Sequence, residues 1–153
     1  MTARGRAFGG VALAAVYALR WESGELRLVE TSGGSPAPYG LRDAYPLPAR
    51  SPVADACRAG RPLWLDAAAL AAYDDAPPAG LSLGVLPLGG DGDDSGVRDP
   101  IGCLVVVERE PDGFGPDRRG LLELYARHVG EGLRGGGPGA RSVLGPGARG
   151  PAP

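Results

Sequence analysis

The sequence has no lysine, asparagine or glutamine, and a single isoleucine, Ile101. Every basic residue is therefore an arginine, the bias that a genome of very high G+C content imposes. Arginine in place of lysine carries no chemical message in such a chain. Without lysine there is no Walker A phosphate loop, and the glycine-rich GGGPGARS lies near the C-terminus with no strand before it. One histidine, His128, excludes a metal centre built from several imidazoles and leaves any nucleophile–histidine–acid relay to that residue alone. Two cysteines, Cys57 and Cys103, are too few for a disulfide scaffold and have no C-x-x-C spacing. They read as reduced, buried thiols of a cytoplasmic protein. The net charge of −2 comes from interspersed signs with no basic stripe, which excludes a nucleic-acid partner.

Long hydrophobic runs are scarce too. The longest near the N-terminus, AFGGVALAAVYAL at Ala7–Leu19, is too short to span a bilayer, so no membrane partner is expected. Met1–Arg6 is positively charged, and with Val16-Tyr17-Ala18 as a cleavage site the run resembles a secretion signal. The residues after it argue otherwise. GELRLVETSG follows across the turn Glu22–Glu25, and two apolar runs around a glycine-containing turn read as a β-hairpin. Removing the first run would leave the second without its neighbour. The alanines of Val11–Trp21 also permit helix.

Further along, Gly33–Pro48 is loop-like. Ser51 is a good helix N-cap and Pro52 suits the first helical position. Asp55 and Arg58 complement the helix dipole, and Gly60 suits a left-handed C-terminal stop. Pro52–Ala59 is thus a two-turn helix with both ends specified, followed by a short strand, Leu63–Leu65. Asp66 caps a second short helix over Ala67–Tyr73. SLGVLPL at Ser82–Leu88 is a strand expected to end or bulge at Pro87. IGCLVVVE at Ile101–Glu108 is a strand apolar enough to be covered on both faces. A last helix opens at Gly115-Pro116-Asp117, with Leu121, Leu122, Tyr125, Val129 and Leu133 as its apolar stripe. From Gly135 the chain is mostly Gly, Pro and Ala, a composition that predicts disorder. The expected organisation is one α+β domain over residues 8–134 and a disordered tail over 135–153. The domain has a mainly antiparallel sheet of five or six strands with helices packed on its faces.

Four phrases in this order resemble the GAF domain family: GELRLVETSG at Gly24–Gly33, SPVADACRAGRPLWL at Ser51–Leu65, LSLGVLPLGG at Leu81–Gly90 with IGCLVVVERE at Ile101–Glu110, and GFGPDRRGLLELYARHVGEGL at Gly113–Leu133. The composition suits an actinobacterial member. The resemblance implies a cytoplasmic, regulatory module that binds a small molecule beside its short helices or mediates signalling contacts. An output partner such as a kinase or phosphatase is then expected. The family's usual helix before the first strand has no counterpart in the nine residues before Gly10. The chain therefore reads as a piece of a larger sensor, or as one whose last helix pairs with a second copy in a homodimer. Gly115 also stands where the family often has Ser or Thr.

No constellation for catalysis is legible, and the expectation is a non-catalytic protein without cofactor or metal. The family includes chromophore binders with a Cys followed closely by His, but Cys57 precedes Arg58. It also includes a methionine-sulfoxide reductase whose cysteine set Cys57 and Cys103 do not reproduce. DGDDSG at Asp91–Gly96 starts like an EF-hand loop, but its twelfth position is Gly102 and its flanks are strands. Asp74-Asp75 have no partner base. What remains is a cleft: aromatics with a few polar groups suit a small molecule. The candidate ligand-binding residues are Tyr45, Ser51, Trp64 and Tyr73, with Tyr39 and Arg50 nearby. The alternatives are a degenerate dimerisation module without ligand and a redox enzyme using Cys57.

Overall fold

Alternation of side chains along two apolar strands gives the sheet two buried faces, and each face attracts its own cover. The computed structural model describes residues 11–73, 80–89, 99–135 and 144. The strands are β1 (Val11–Arg20), β2 (Glu25–Ser32), β3 (Ala44–Pro46), β4 (Leu63–Leu65), β5 (Ser82–Leu88) and β6 (Gly102–Glu108). The helices are α1 (Pro52–Ala59), α2 (Ala67–Leu70) and α3 (Pro116–Gly135). The strands form one sheet in the order β3-β2-β1-β6-β5-β4, with every neighbouring pair antiparallel. This is the expected α+β architecture.

β1 lies at the centre, paired with β2 on one side and β6 on the other. Its alanines do not make it a helix, because Leu13, Ala15, Tyr17 and Leu19 face one core and Ala14 and Val16 the other. That is the period of two that a strand presents. β6 divides likewise, with Cys103, Val105 and Val107 on the first face and Leu104 and Val106 on the second. A secretion-signal reading would assign to a leader a strand on which both cores are built.

The first face is covered by α1, α2 and the segment before them, through Leu41, Tyr45, Val53, Ala56, Cys57 and Leu70. The second is covered by α3, through Leu122, Ala126 and Val129. The α3 stripe, Leu121 excepted, thus packs on its own sheet. Leu121 and Leu124 fall on its outer side and are exposed. β3 and a 3-10 turn at Ala37–Tyr39 lie within the loop-like stretch Gly33–Pro48. β3 is only three residues long, too short for a periodic signal. α2 stops at Leu70, short of the expected Tyr73. Pro87 neither ends nor bulges β5: it stays in register opposite Cys103. β4 ends opposite Val85, so at Pro87 one side of β5 has no strand among the described residues for an N–H to serve.

Of the segment after Gly135, expected as a disordered tail, only Leu144 lies within the described residues. Leu144 is fully buried in the α3-side core. Its carbonyl accepts from the Tyr125 hydroxyl at 2.8 Å, and its N–H donates to the Glu30 carboxylate at 3.3 Å. One leucine in a Gly/Pro-rich segment has thus found an apolar site between β2 and α3.

Gly84 illustrates how tightly the α3-side core is set. A Cβ there would lie 2.9 Å from Trp64 Cζ3 and 3.3 Å from Phe114 Cζ. Gly84→Ala is expected to lower the folding free energy by about 1–3 kcal/mol through overpacking, read by urea denaturation. An unchanged midpoint would contradict this packing.

Candidate functional site

The candidate residues divide between the two faces, and the division follows from strand alternation. In β4, Leu63 and Leu65 turn toward the first face, so Trp64 turns to the second. There it packs on Phe114 at 5.1 Å between ring centroids, with the Arg119 guanidinium 5.5 Å above its ring. Arg119 is held in place by donating to the Phe114 carbonyl at 2.9 Å. Trp64 is therefore a member of the α3-side core and does not share a cleft with the other three candidates.

Tyr45, Ser51 and Tyr73 do lie on one side of the sheet. Ser51 has extended backbone geometry and its hydroxyl accepts from the Ala54 N–H at 3.1 Å. It is the N-cap of α1, buried and already engaged. At the other end Gly60 adopts φ 69°, and its N–H returns to Ala56 and Cys57 carbonyls. Tyr45 is buried on β3, edge-on to Tyr17 with centroids 5.6 Å apart. The Arg42 N–H donates to the Tyr45 hydroxyl at 3.0 Å, and the Tyr17 hydroxyl donates to the Arg42 carbonyl at 2.6 Å. Both phenols thus grip the backbone of one residue and fix the segment that leads into β3. Burial pushes the Tyr17 phenol well above its ordinary range, so it remains a donor.

Tyr73 is the most accessible of the three and the centre of a polar group. Its hydroxyl donates to Asp55 Oδ2 at 2.7 Å, and the Arg50 guanidinium sits 5.5 Å above its ring. Asp55 also pairs with Arg58, which reaches back to the carbonyls of Leu47 and Ala49, the latter at 2.8 Å. Arg58 clamps the segment before α1 to the last turn of that helix. Desolvation, then the bond to Asp55, raises the Tyr73 phenol to about 12. Asp55 and Arg58 were legible only as dipole-complementing residues. Their (i, i+3) spacing allowed the pair, but Tyr73 lies too far along the chain to be found that way.

The thiols of Cys57 in α1 and Cys103 in β6 share the first-face core, both buried and both free. Among the described residues no group of three or more His, Cys, Asp or Glu is placed to hold a metal, and no helix is long and apolar enough to cross a membrane. The acidic stretch Asp91–Gly96 and the pair Asp74-Asp75 lie outside the described residues.

No family model matches the chain, and no curated protein does. Solved structures do. A GAF domain region from Geobacter sulfurreducens PCA aligns at TM-score 0.63 and 19% identity, over 82% of each chain. The GAF domain of an Acinetobacter phosphoenolpyruvate-protein phosphotransferase aligns at 0.60 and 18%, over 80% of this chain and 70% of that one. The type II free methionine-R-sulfoxide reductase of Thermoplasma acidophilum aligns at 0.60 and 17%, over 77% and 75%. The chain has a GAF-like fold. The expectation of a protein without catalysis is overturned here, because this same fold carries enzymes among its near structural neighbours. An enzymatic role is open.

The Tyr73–Asp55 bond has a pH signature. A phenol whose folded value lies above its unfolded value of about 10 adds stability that is fully present below pH ~10. That stability is lost as pH rises toward about 12. Wild type is expected to lose stability across that window more steeply than Tyr73→Phe in matched denaturant titrations. Parallel curves would contradict the contact.

Proposed function

We propose that the chain is a sensory or regulatory domain that takes a small molecule on the sheet face beneath α1 and α2, at the margin held by Tyr73. The single observation that carries this reading is the Arg50–Tyr73–Asp55 group. It presents a phenol fixed by a carboxylate, with a guanidinium stacked on its ring, at the edge of an aromatic-bearing core. Such an arrangement suits a ligand that offers a flat apolar body and a negative group. Of the sequence candidates, Tyr73 is the contact residue of the proposal, while Ser51 and Tyr45 hold α1 and β3 in place around it. Occupancy would be passed to an output partner such as a kinase or phosphatase by a change in packing across the sheet to α3. The GAF-like fold supports this role, and the reductases that share the fold keep a chemical step on a bound substrate within it.

A second reading, association of two copies through α3, is favoured by the exposure of Leu121 (42%) and Leu124 (62%). Leu124→Glu separates the two readings: it should dissociate such a dimer and leave ligand binding intact.

A thermal-shift screen with nucleotides, carboxylic acids and free methionine-R-sulfoxide tests the proposal. A true ligand at 100 times its Kd adds about 2.7 kcal/mol to the stability of the folded state. Arg50→Ala and Tyr73→Ala are each expected to weaken that ligand at least tenfold. Assaying the sulfoxide arm for methionine distinguishes binding from turnover. Stabilisation that survives both substitutions would overturn the assignment of the site.

A further inference from the structure

Two thiols far apart in sequence meet beneath α1. Cys103 stands near the start of β6, and its Sγ donates to the Val53 carbonyl at 3.7 Å, across 50 positions of sequence. Cys57 and Cys103 lie in the same buried cluster, and the Val53 carbonyl that the Cys103 thiol meets is the one a helical turn before Cys57, so the Cys103 sulfur sits under the turn that Cys57 closes. They are the chain's two cysteines, and neither is used by the proposed ligand margin.

We propose that Cys57 and Cys103 are a redox pair that closes to an intramolecular disulfide, with a hydroperoxide as oxidant, and so staples α1 to the central strand β6. This goes beyond the ligand-binding reading and does not depend on it.

The geometry assigns different parts to the two sulfurs. The proximity of Cys103 most of all lowers the Cys57 thiol, burial opposes this, and the field of the neighbouring Arg58 adds a smaller lowering. The proximity of Cys57 and complete burial raise the Cys103 thiol, whose proton is directed at the Val53 carbonyl. Cys57 is therefore the nucleophile and Cys103 the resolving thiol. In the first step the Cys57 thiolate attacks a peroxide oxygen. An S–O bond forms, the O–O bond breaks, and the departing alkoxide or hydroxide takes up a proton. In the second the Cys103 sulfur attacks the Cys57 sulfur. The S–S bond forms, the S–O bond breaks, and hydroxide leaves with the Cys103 proton as water. Two thiols and one hydroperoxide give one disulfide, one alcohol (or water) and one water. The thiols lose two electrons and the peroxide gains them. A dithiol reductant reverses the result by two exchange steps.

Both sulfurs are enclosed, Cys57 at 3% and Cys103 at 0% exposure. Oxidant therefore reaches them only when α1 lifts. That helix is eight residues long and ends on Gly60, and short elements of this kind open well below the cost of global unfolding. α1 also carries Asp55, which holds Tyr73. A staple at Cys57 would thus fix the element that supports the proposed ligand margin.

The experiment uses the full chain with hydrogen peroxide, followed by alkylation in denaturant, intact mass and peptide mapping. The expected product is a monomer two hydrogens lighter that takes up no alkylating agent. Its Cys57 and Cys103 peptides are linked, and dithiothreitol restores both thiols. Dimedone added during oxidation should mark Cys57 in Cys103→Ala, and should leave Cys103 unmarked in Cys57→Ala. Retention of two alkylatable thiols, a disulfide only between chains, or over-oxidation without the linked peptide would overturn the proposal. The wild-type mapping decides the question even if either variant fails to fold.

Discussion

The pairing of β1 with β6 is the constraint on which the rest depends. These two strands are the middle of a six-stranded sheet, and each presents apolar side chains on both sides. A strand in that position cannot be left wet on either face. The two layers of cover are a consequence: short helices and an irregular segment on one side, a long helix and one leucine from the tail on the other. Register matters equally. With Tyr17 opposite Cys103 and Val16 opposite Leu104, a slip of one residue would exchange the two cores.

The layout separates duties. The α3 face is a closed packing layer in which Trp64, Phe114 and Arg119 stack around the space left by Gly84. The α1 face is assembled from short pieces fastened by polar contacts to backbone: Ser51 to Ala54, Arg58 to Leu47 and Ala49, Tyr17 and Tyr45 to Arg42. Each fastening contributes on the order of 1 kcal/mol. Such a face can adjust piece by piece, whereas the opposite face can only move as a unit. The fold neighbours include both domains described only as GAF and reductases. The same fold therefore carries enzymes as well as domains named only for the fold.

Much of the fold was legible because its signals are local. Ser51, Pro52, Asp55, Arg58 and Gly60 mark both ends of α1 within ten residues, and the structure has each in the expected role. The apolar run of β6 announced a central strand. What was not legible needed partners distant in sequence. Trp64 looked like a companion of Tyr73 by proximity along the chain, yet one step of strand alternation sends it through the sheet. Tyr73 finds Asp55, Cys57 finds Cys103 and Leu144 finds Glu30 only after the sheet has formed. β3 escaped notice because three residues carry no period, and Leu144 because composition averages over the one residue that matters.

Native-state hydrogen exchange, resolved by residue, tests most directly whether β1 is the structural centre. The amides of Leu13–Ala18 and of Cys103–Val107 are expected to exchange last and together, at the free energy of global unfolding. The amides of α1 and β3 should exchange earlier, through local opening. Early exchange across Leu13–Ala18, with β6 still protected, would contradict a fold built on the β1–β6 pair.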